Sequence, residues 1–169
     1  MARADVAARS LADEYGLTAL PVDPEKVATN LGAIVIRQPT TVELSGMLMR
    51  RHGTIAMGIN SEMEPARQRF ALAHLVGHLH LHRRRELILD TIARHDHPNL
   101  LSMPTEREEA EANRFASALL APDAAVRRAA LEADFRTASQ LVDLLAPRFG
   151  LTPAVMGARL MGLGIILDV

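Results

Sequence analysis

The stretch that decides the fold is residues 70–82, FALAHLVGHLHLH, in which His74 and His78 stand four positions apart. On a helix this spacing places both imidazoles on one face, about one turn apart. A helix can present two ligands to a single zinc ion in this way. The zinc-peptidase form of the motif is HExxH, in which the glutamate is the general base. Here Leu75 stands at the position of that glutamate.

The surroundings of the histidine pair favour a metal site over a chance spacing. Gly77 permits a close backbone approach, and the neighbouring leucines and alanines predict a helix that is buried on one side. His82 continues the stripe eight positions after His74, whereas His80 points away from it. We expect His82 to be a capping or surface histidine and not a ligand.

A third ligand is sought in residues 106–122, EREEAEANRFASALLAP, because a zinc site needs at least three protein ligands. An acidic first turn complements the helix dipole and accounts for Glu106, Glu108 and Glu109. It accounts less well for Glu111, which is flanked by the apolar residues of the predicted buried side. A carboxylate there needs a partner, and a metal ion would be one.

Composition restricts the class of protein. The 169 residues predict a single domain spanning 1–169. The content is 49% hydrophobic and 23% charged, as in ordinary globular proteins. With no cysteine, disulfides and thiolate metal sites are excluded, so zinc would need histidine and carboxylate ligands. A net charge of −1 and only 3% aromatic residues argue against a nucleic-acid surface. No stretch is typical of a signal peptide or a membrane span, so we expect a cytoplasmic protein.

The pattern of elements predicts an α+β fold, mainly helical with a small three-stranded sheet. Thr105 with Glu108 three positions later is a capping-box signature. Residues 87–105 are expected to form a short helical piece and then a loop, and residues 165–168 a last short strand. The other predicted strands are residues 33–37, 44–50 and 54–60, and the predicted helices are residues 2–15, 24–31, 66–82, 106–120, 123–133, 138–148 and 153–161.

Two motifs together, RFALAHxxGHLxLH and then EANRFAxxLLxP, resemble the ImmA/IrrE family of zinc metallopeptidases. The likeness extends over about residues 31–165 and includes LSGMLMR, IAMGIN and GLTPAVMGARLMGLG. It implies a zincin-like, gluzincin-like domain in which His74, His78 and Glu111 bind zinc and a water takes the fourth position. Members of the family act beside a helix-turn-helix repressor, which some cleave to release stress, mobile-element or toxin–antitoxin operons.

The departure from this family is Leu75, where its members have the glutamate base. Such a base takes a proton from water and later passes it to the leaving amine, which leucine cannot do. General acid–base catalysis contributes roughly 10²–10⁴-fold, so we expect peptidase activity to be severely reduced or absent, while zinc binding persists. Glu108 is a candidate substitute base, although its capping role with Thr105 is the simpler interpretation.

Three hypotheses follow. The first is a zinc peptidase with an altered catalytic position. The second is a catalytically inactive member that binds a repressor or an antitoxin without cleaving it. The third is a DNA-binding protein using the helix–Gly–helix pattern of residues 138–161, whose second helix has Arg159 as its one basic side chain. That is too little to contact base edges, so we expect neither direct nucleic-acid binding nor membrane association.

Overall fold

The computed structural model describes residues 2–41, 43–91 and 104–167. The described residues contain seven helices and four strands. None of these helices is both long and apolar enough to cross a membrane. In chain order the elements are α1 (Arg3–Glu14), α2 (Pro24–Asn30), β1 (Ala33–Gln38), β2 (Leu44–Arg51), β3 (Thr54–Asn60), α3 (Pro65–Leu81), β4 (Leu87–Thr91), α4 (Glu106–Leu120), α5 (Asp123–Glu132), α6 (Ala138–Phe149) and α7 (Pro153–Gly162).

The strands form one mixed sheet in the order β1-β3-β2-β4. Two of the predicted strands, β2 and β3, are antiparallel and form a hairpin. Its turn uses His52 and Gly53, both with positive φ, as tight hairpins require. The first strand is parallel to β3, and β4 is antiparallel to β2 at the other edge.

The sheet has four strands and not the three that the sequence predicts. The additional strand is β4, in a segment predicted to be helical. Its five residues, LILDT, are too few for a helical period to show, and their conformation is decided by pairing with the free edge of β2. Residues 165–167 do not form the predicted last strand. Position 168 and the predicted loop at residues 92–103 lie outside the described residues.

Helix α3 is the centre of the molecule and explains why the histidine stretch organises the fold. Its residues 71–79 are all buried, because one side packs on β2 and β3 and another packs on α4. Gly77 lies at the contact with α4, where an added Cβ would be 3.2 Å from the Ala112 carbonyl oxygen. The helices therefore approach closely, and α1 covers the other side of α4.

Side chains cap the starts of two helices, and the predicted capping box is confirmed. Asp23 caps α2 by accepting a hydrogen bond from the Glu25 backbone N–H. Thr105 and Glu108 form a complete capping box at α4. The far end of α3 is held by Arg50 of β2, which donates to four backbone carbonyl groups there. A cation at this end also complements the helix dipole.

Candidate metal centre

Helix α3 brings His74 and His78 together in the interior, as their spacing predicts. The two Nε2 atoms are 3.0 Å apart. The residues are 3% and 0% exposed, so the pair lies well below the surface. Two nitrogens that converge in an apolar interior need a shared partner.

The third group at this point is Glu109 of α4. Its two carboxylate oxygens lie 3.3 Å from Nε2 of His74 and 3.4 Å from Nε2 of His78. Glu109 is 5% exposed. Among the described residues, these three form a cluster whose ligand atoms all lie within 4.8 Å of one another.

The structure does not bring Glu111 to the histidine pair. Its Oε2 lies 3.2 Å from Nε2 of His82 and its Oε1 3.0 Å from Nε of Arg107. Two positions along a helix turn a side chain by about 200°, so Glu109 and Glu111 cannot face the same cluster. The sequence does contain the signal for Glu109, which precedes Ala112 by three positions and Ala116 by seven, the spacing of the buried side.

The ionisation of the cluster suits metal ligation. Burial raises the pKa of Glu109, but the hydrogen bonds from His74 and His78 and the charges of these residues lower it by more, so the net shift is downward. Burial lowers the pKa of His78 to about 4. Burial also opposes protonation of His74, yet the hydrogen bond to Glu109 and the nearby carboxylates leave its pKa raised. The lowered pKa values of Glu109 and His78 favour the carboxylate and the neutral imidazole that bind a metal ion, whereas His74 would release its added proton on binding.

A second set of contacts orients the two imidazoles. Nδ1 of His74 lies 2.9 Å from Oδ1 of Asn113, and this contact turns Nε2 toward Glu109. Nδ1 of His78 lies 2.9 Å from Nδ1 of His82, whose other nitrogen contacts Glu111. His82 is the C-cap residue of α3, as the sequence predicts, but its side chain is only 7% exposed and does not lie at the surface. Such outer hydrogen bonds commonly orient metal-binding histidines.

Neither Leu75 nor Glu108 provides a base beside the cluster. Leu75 is 0% exposed and packs on the sheet, 3.1 Å from the point that a Cβ of Gly46 would occupy. Glu108 is engaged by Arg85 and Thr105, and the hydrogen bond from Arg85 chiefly lowers its pKa to about 2. It lines a separate cavity beside the end of α3.

An open cavity of about 290 Å³ reaches the cluster from the surface. Met63, Phe70 and Val155 give it an apolar wall, and Arg67 lies at its rim. Two acidic residues line it, Glu109 and also Asp90 of β4. Asp90 is not among the residues that sequence reasoning selected, because it lies on the strand that was not predicted. Of the two histidines, His74 lines this cavity.

Comparison with solved structures gives a fold relative, described as a Mycobacterium tuberculosis transcriptional regulator. The TM-score is 0.63 at 20% sequence identity. The match covers 95% of this chain but 47% of the other, so this chain spans just under half of that protein's length. At this identity the likeness concerns the fold alone. No curated protein matches the chain.

The family comparison covers the sheet, α3, α4 and the cluster. The model described as the IrrE N-terminal-like domain of peptidase family M78 matches residues 28–161. That range contains His74, His78 and Glu109, and leaves α1 outside it. The chain therefore belongs to the IrrE N-terminal-like family of M78 peptidases.

Proposed function

We propose that this protein is a zinc-binding, metallopeptidase-like domain whose ligands are His74, His78 and Glu109, and that it acts in the cytoplasm on or with a helix-turn-helix transcriptional repressor. The observation that carries the proposal is the buried cluster of two Nε2 atoms and one carboxylate. In this assignment Glu109 takes the role that the family resemblance suggested for Glu111. The whole chain, residues 1–169, is proposed to act as one domain.

The spacing of the donor atoms fits zinc. Ligands about 2.0–2.1 Å from a tetrahedral zinc ion lie about 3.3 Å from one another. In the cluster the two Nε2 atoms are 3.0 Å apart, and each lies 3.3 or 3.4 Å from a different oxygen of the Glu109 carboxylate. Two imidazoles and one carboxylate also form a ligand set that leaves a fourth position open in catalytic zinc sites. A zinc ion held there would supply Lewis acidity, polarising a peptide carbonyl and making water more acidic.

Peptidase turnover is proposed to be impaired, because the side chain at position 75 cannot accept a proton. Leu75 is apolar and packs against the sheet, so this position offers no proton acceptor to water beside the cluster. The loss of such a base costs roughly 10²–10⁴-fold in rate. Zinc binding does not depend on Leu75, since the cluster is formed by other side chains.

The proposed partner is a helix-turn-helix repressor, or an antitoxin with such a domain. This rests on the resemblance to ImmA/IrrE proteins and on a fold relative that is itself described as a transcriptional regulator. The buried Leu75 also favours a second candidate function, in which the domain binds this partner without cleaving it. Direct DNA binding gains no support from α7, because Arg159 is 8% exposed and donates to the Ala121 carbonyl oxygen.

The deciding experiment is metal analysis of protein purified without added metal. We expect one zinc per chain in wild type, loss of zinc in Glu109→Ala, and one zinc per chain retained in Glu111→Ala. The second variant is a matched control, because both glutamates lie on α4 two positions apart. Loss of zinc only in Glu111→Ala, or no zinc in wild type, would contradict the assignment. Incubation with the repressor encoded by the adjacent gene then separates slow cleavage from binding alone.

A further inference from the structure

The sheet contributes the carboxylate of Asp90 to the cavity, and Leu75 of α3 packs on the same sheet. Asp90 lies on the edge strand β4 and lines the same cavity as His74 and Glu109. We infer that the Asp90 carboxylate serves as the proton acceptor and donor for peptide hydrolysis at this site, in place of the residue missing at position 75. The inference rests on the proposed function, because it concerns the same site.

The register of the sheet places Asp90 on the face toward α3. Asp90 pairs with Gly46, and Ile88 pairs with Leu48, across β4 and β2. Residues two apart on a strand share a face, and both Ile88 and Leu48 are 0% exposed in the core. Asp90 and Gly46 therefore belong to the inward face, the one on which α3 packs.

Gly46 connects Asp90 with position 75. An added Cβ at Gly46 would lie 3.1 Å from Cδ1 of Leu75. Directly opposed residues of an antiparallel pair have Cβ atoms about 4.5–5.5 Å apart. The Asp90 side chain thus begins on the neighbouring strand, directly opposite the residue against which Leu75 packs. Unlike the fully buried Leu75, Asp90 is partly exposed and borders the cavity.

The relation of Asp90 to the cluster also fits an acid–base group better than a ligand. Asp90 is not part of the described group whose ligand atoms all lie within 4.8 Å of one another. It is nevertheless near enough that its charge contributes to raising the pKa of His74. Two of the other carboxylates of α4 are held by cationic side chains away from the cavity, since Glu108 bonds Arg85 and Glu111 bonds His82 and Arg107.

The proposed step conserves atoms and charge. An oxygen of the Asp90 carboxylate accepts a proton from water as the water oxygen forms a bond to the peptide carbonyl carbon. The carbon–nitrogen bond then breaks, its electrons go to the nitrogen, and Asp90 returns the proton to that nitrogen. The products are a carboxylic acid and an amine, and nothing is oxidised or reduced. An aspartate from the sheet is shorter than a glutamate from the helix, so the rate stays below that of the usual motif, because proton transfer depends on placement.

The experiment compares wild type, Asp90→Asn, Leu75→Glu/Asp90→Asn, and the control Asp143→Asn, which changes an exposed carboxylate on α6. Each protein is loaded with zinc, and its zinc content and melting temperature are recorded. The first readout is binding of acetohydroxamic acid by calorimetry, which involves no turnover. The second is hydrolysis of fluorescein-labelled casein.

In Asp90→Asn we expect one zinc per chain, hydroxamate binding weakened about tenfold or more through loss of a charge-assisted hydrogen bond, and hydrolysis lowered by roughly 10²-fold or more. Leu75→Glu should restore both in the double variant, and Asp143→Asn should change neither. Rescue by Leu75→Glu would show that Asp90→Asn acts by removing a carboxylate from the site and not by disturbing β4.

Unchanged hydroxamate affinity in Asp90→Asn, or no hydrolysis by zinc-loaded wild type, would overturn this inference and leave the zinc assignment intact. Failure of wild type to bind zinc would remove the proposed function and this inference with it.

Discussion

At the scale of single residues, the candidate site consists of the cluster of His74, His78 and Glu109 and a second set of groups that contact it. His78 contacts His82, and His82 contacts Glu111. Glu111 in turn holds Arg107 at the surface. The arrangement gives Glu111 a role in the site without making it a ligand: it orients His82, which orients His78. Partners of this kind are commonly worth 10- to 100-fold in metal affinity.

We therefore expect His82→Phe and Glu111→Ala to lower zinc affinity by roughly tenfold or more, with one zinc still bound at saturation. Competition with a chromogenic chelator measures this. Arg107→Ala is the control, since the Arg107 side chain is 85% exposed, and exposed ion pairs contribute little. Affinities equal to wild type in both His82→Phe and Glu111→Ala would show that these contacts do not orient His78.

At the scale of elements, the site depends on how closely α3 and α4 approach, because one carries the histidines and the other Glu109. Gly77 allows this approach. A Cβ there would lie 3.1 Å from Cδ1 of Phe115 and 3.2 Å from the Ala112 backbone, which is tighter than ordinary packing. The glycine is needed for space and not for a left-handed conformation, since it lies within α3.

Gly77→Ala should consequently destabilise the protein by about 1–3 kcal/mol and weaken zinc binding, because α4 must move away with Glu109. Urea unfolding and chelator competition measure the two effects. Gly162→Ala is the control on α7, where nothing lies within 4 Å of an added Cβ. It should leave stability unchanged or raise it slightly, since alanine favours helix. Equal stabilities of the two variants would mean that the α3–α4 contact tolerates a methyl group.

At the scale of the whole molecule, the two ends of the chain meet beside α4. Arg159 of α7 lies 3.4 Å from Asp5 of α1 and donates to the Ala121 carbonyl oxygen after α4. Asp5 also accepts from Arg114 of α4. Because α1 precedes the region that matches the family, this ion network attaches an additional helix to the domain that holds the site.

Removal of the buried Arg159 side chain should destabilise the folded protein. Arg159→Ala is expected to lower the free energy of unfolding by about 3 kcal/mol, because the partners of a buried ion pair are left unsatisfied, and Arg159→Met by less. The matched control is Arg148→Ala. Arg148 also pairs with a carboxylate, that of Glu132, but these two side chains are 46% and 53% exposed. That pair should contribute less than about 1 kcal/mol. Similar losses in both alanine variants would contradict a special role for the buried pair.

Much of this protein is determined by local sequence. The helix starts at Asp23, Thr105 and Thr152 follow from side chains that bond nearby backbone N–H groups. The β2–β3 hairpin follows from a glycine-containing turn between two apolar runs. The pairing of His74 with His78 follows from helical spacing alone. These features need contacts only a few residues apart, so the pattern of residues is sufficient to predict them.

The tertiary structure decided what depends on distant neighbours. The sequence reasoning favours Glu111 as the third ligand, and only the orientation of α4 against α3 places Glu109 at the histidines. The strand β4 exists because β2 offers it an edge, and that pairing brings Asp90 to the same cavity. A short segment lacks a decisive period of its own, and which side of a helix meets which partner is determined by packing across the whole chain.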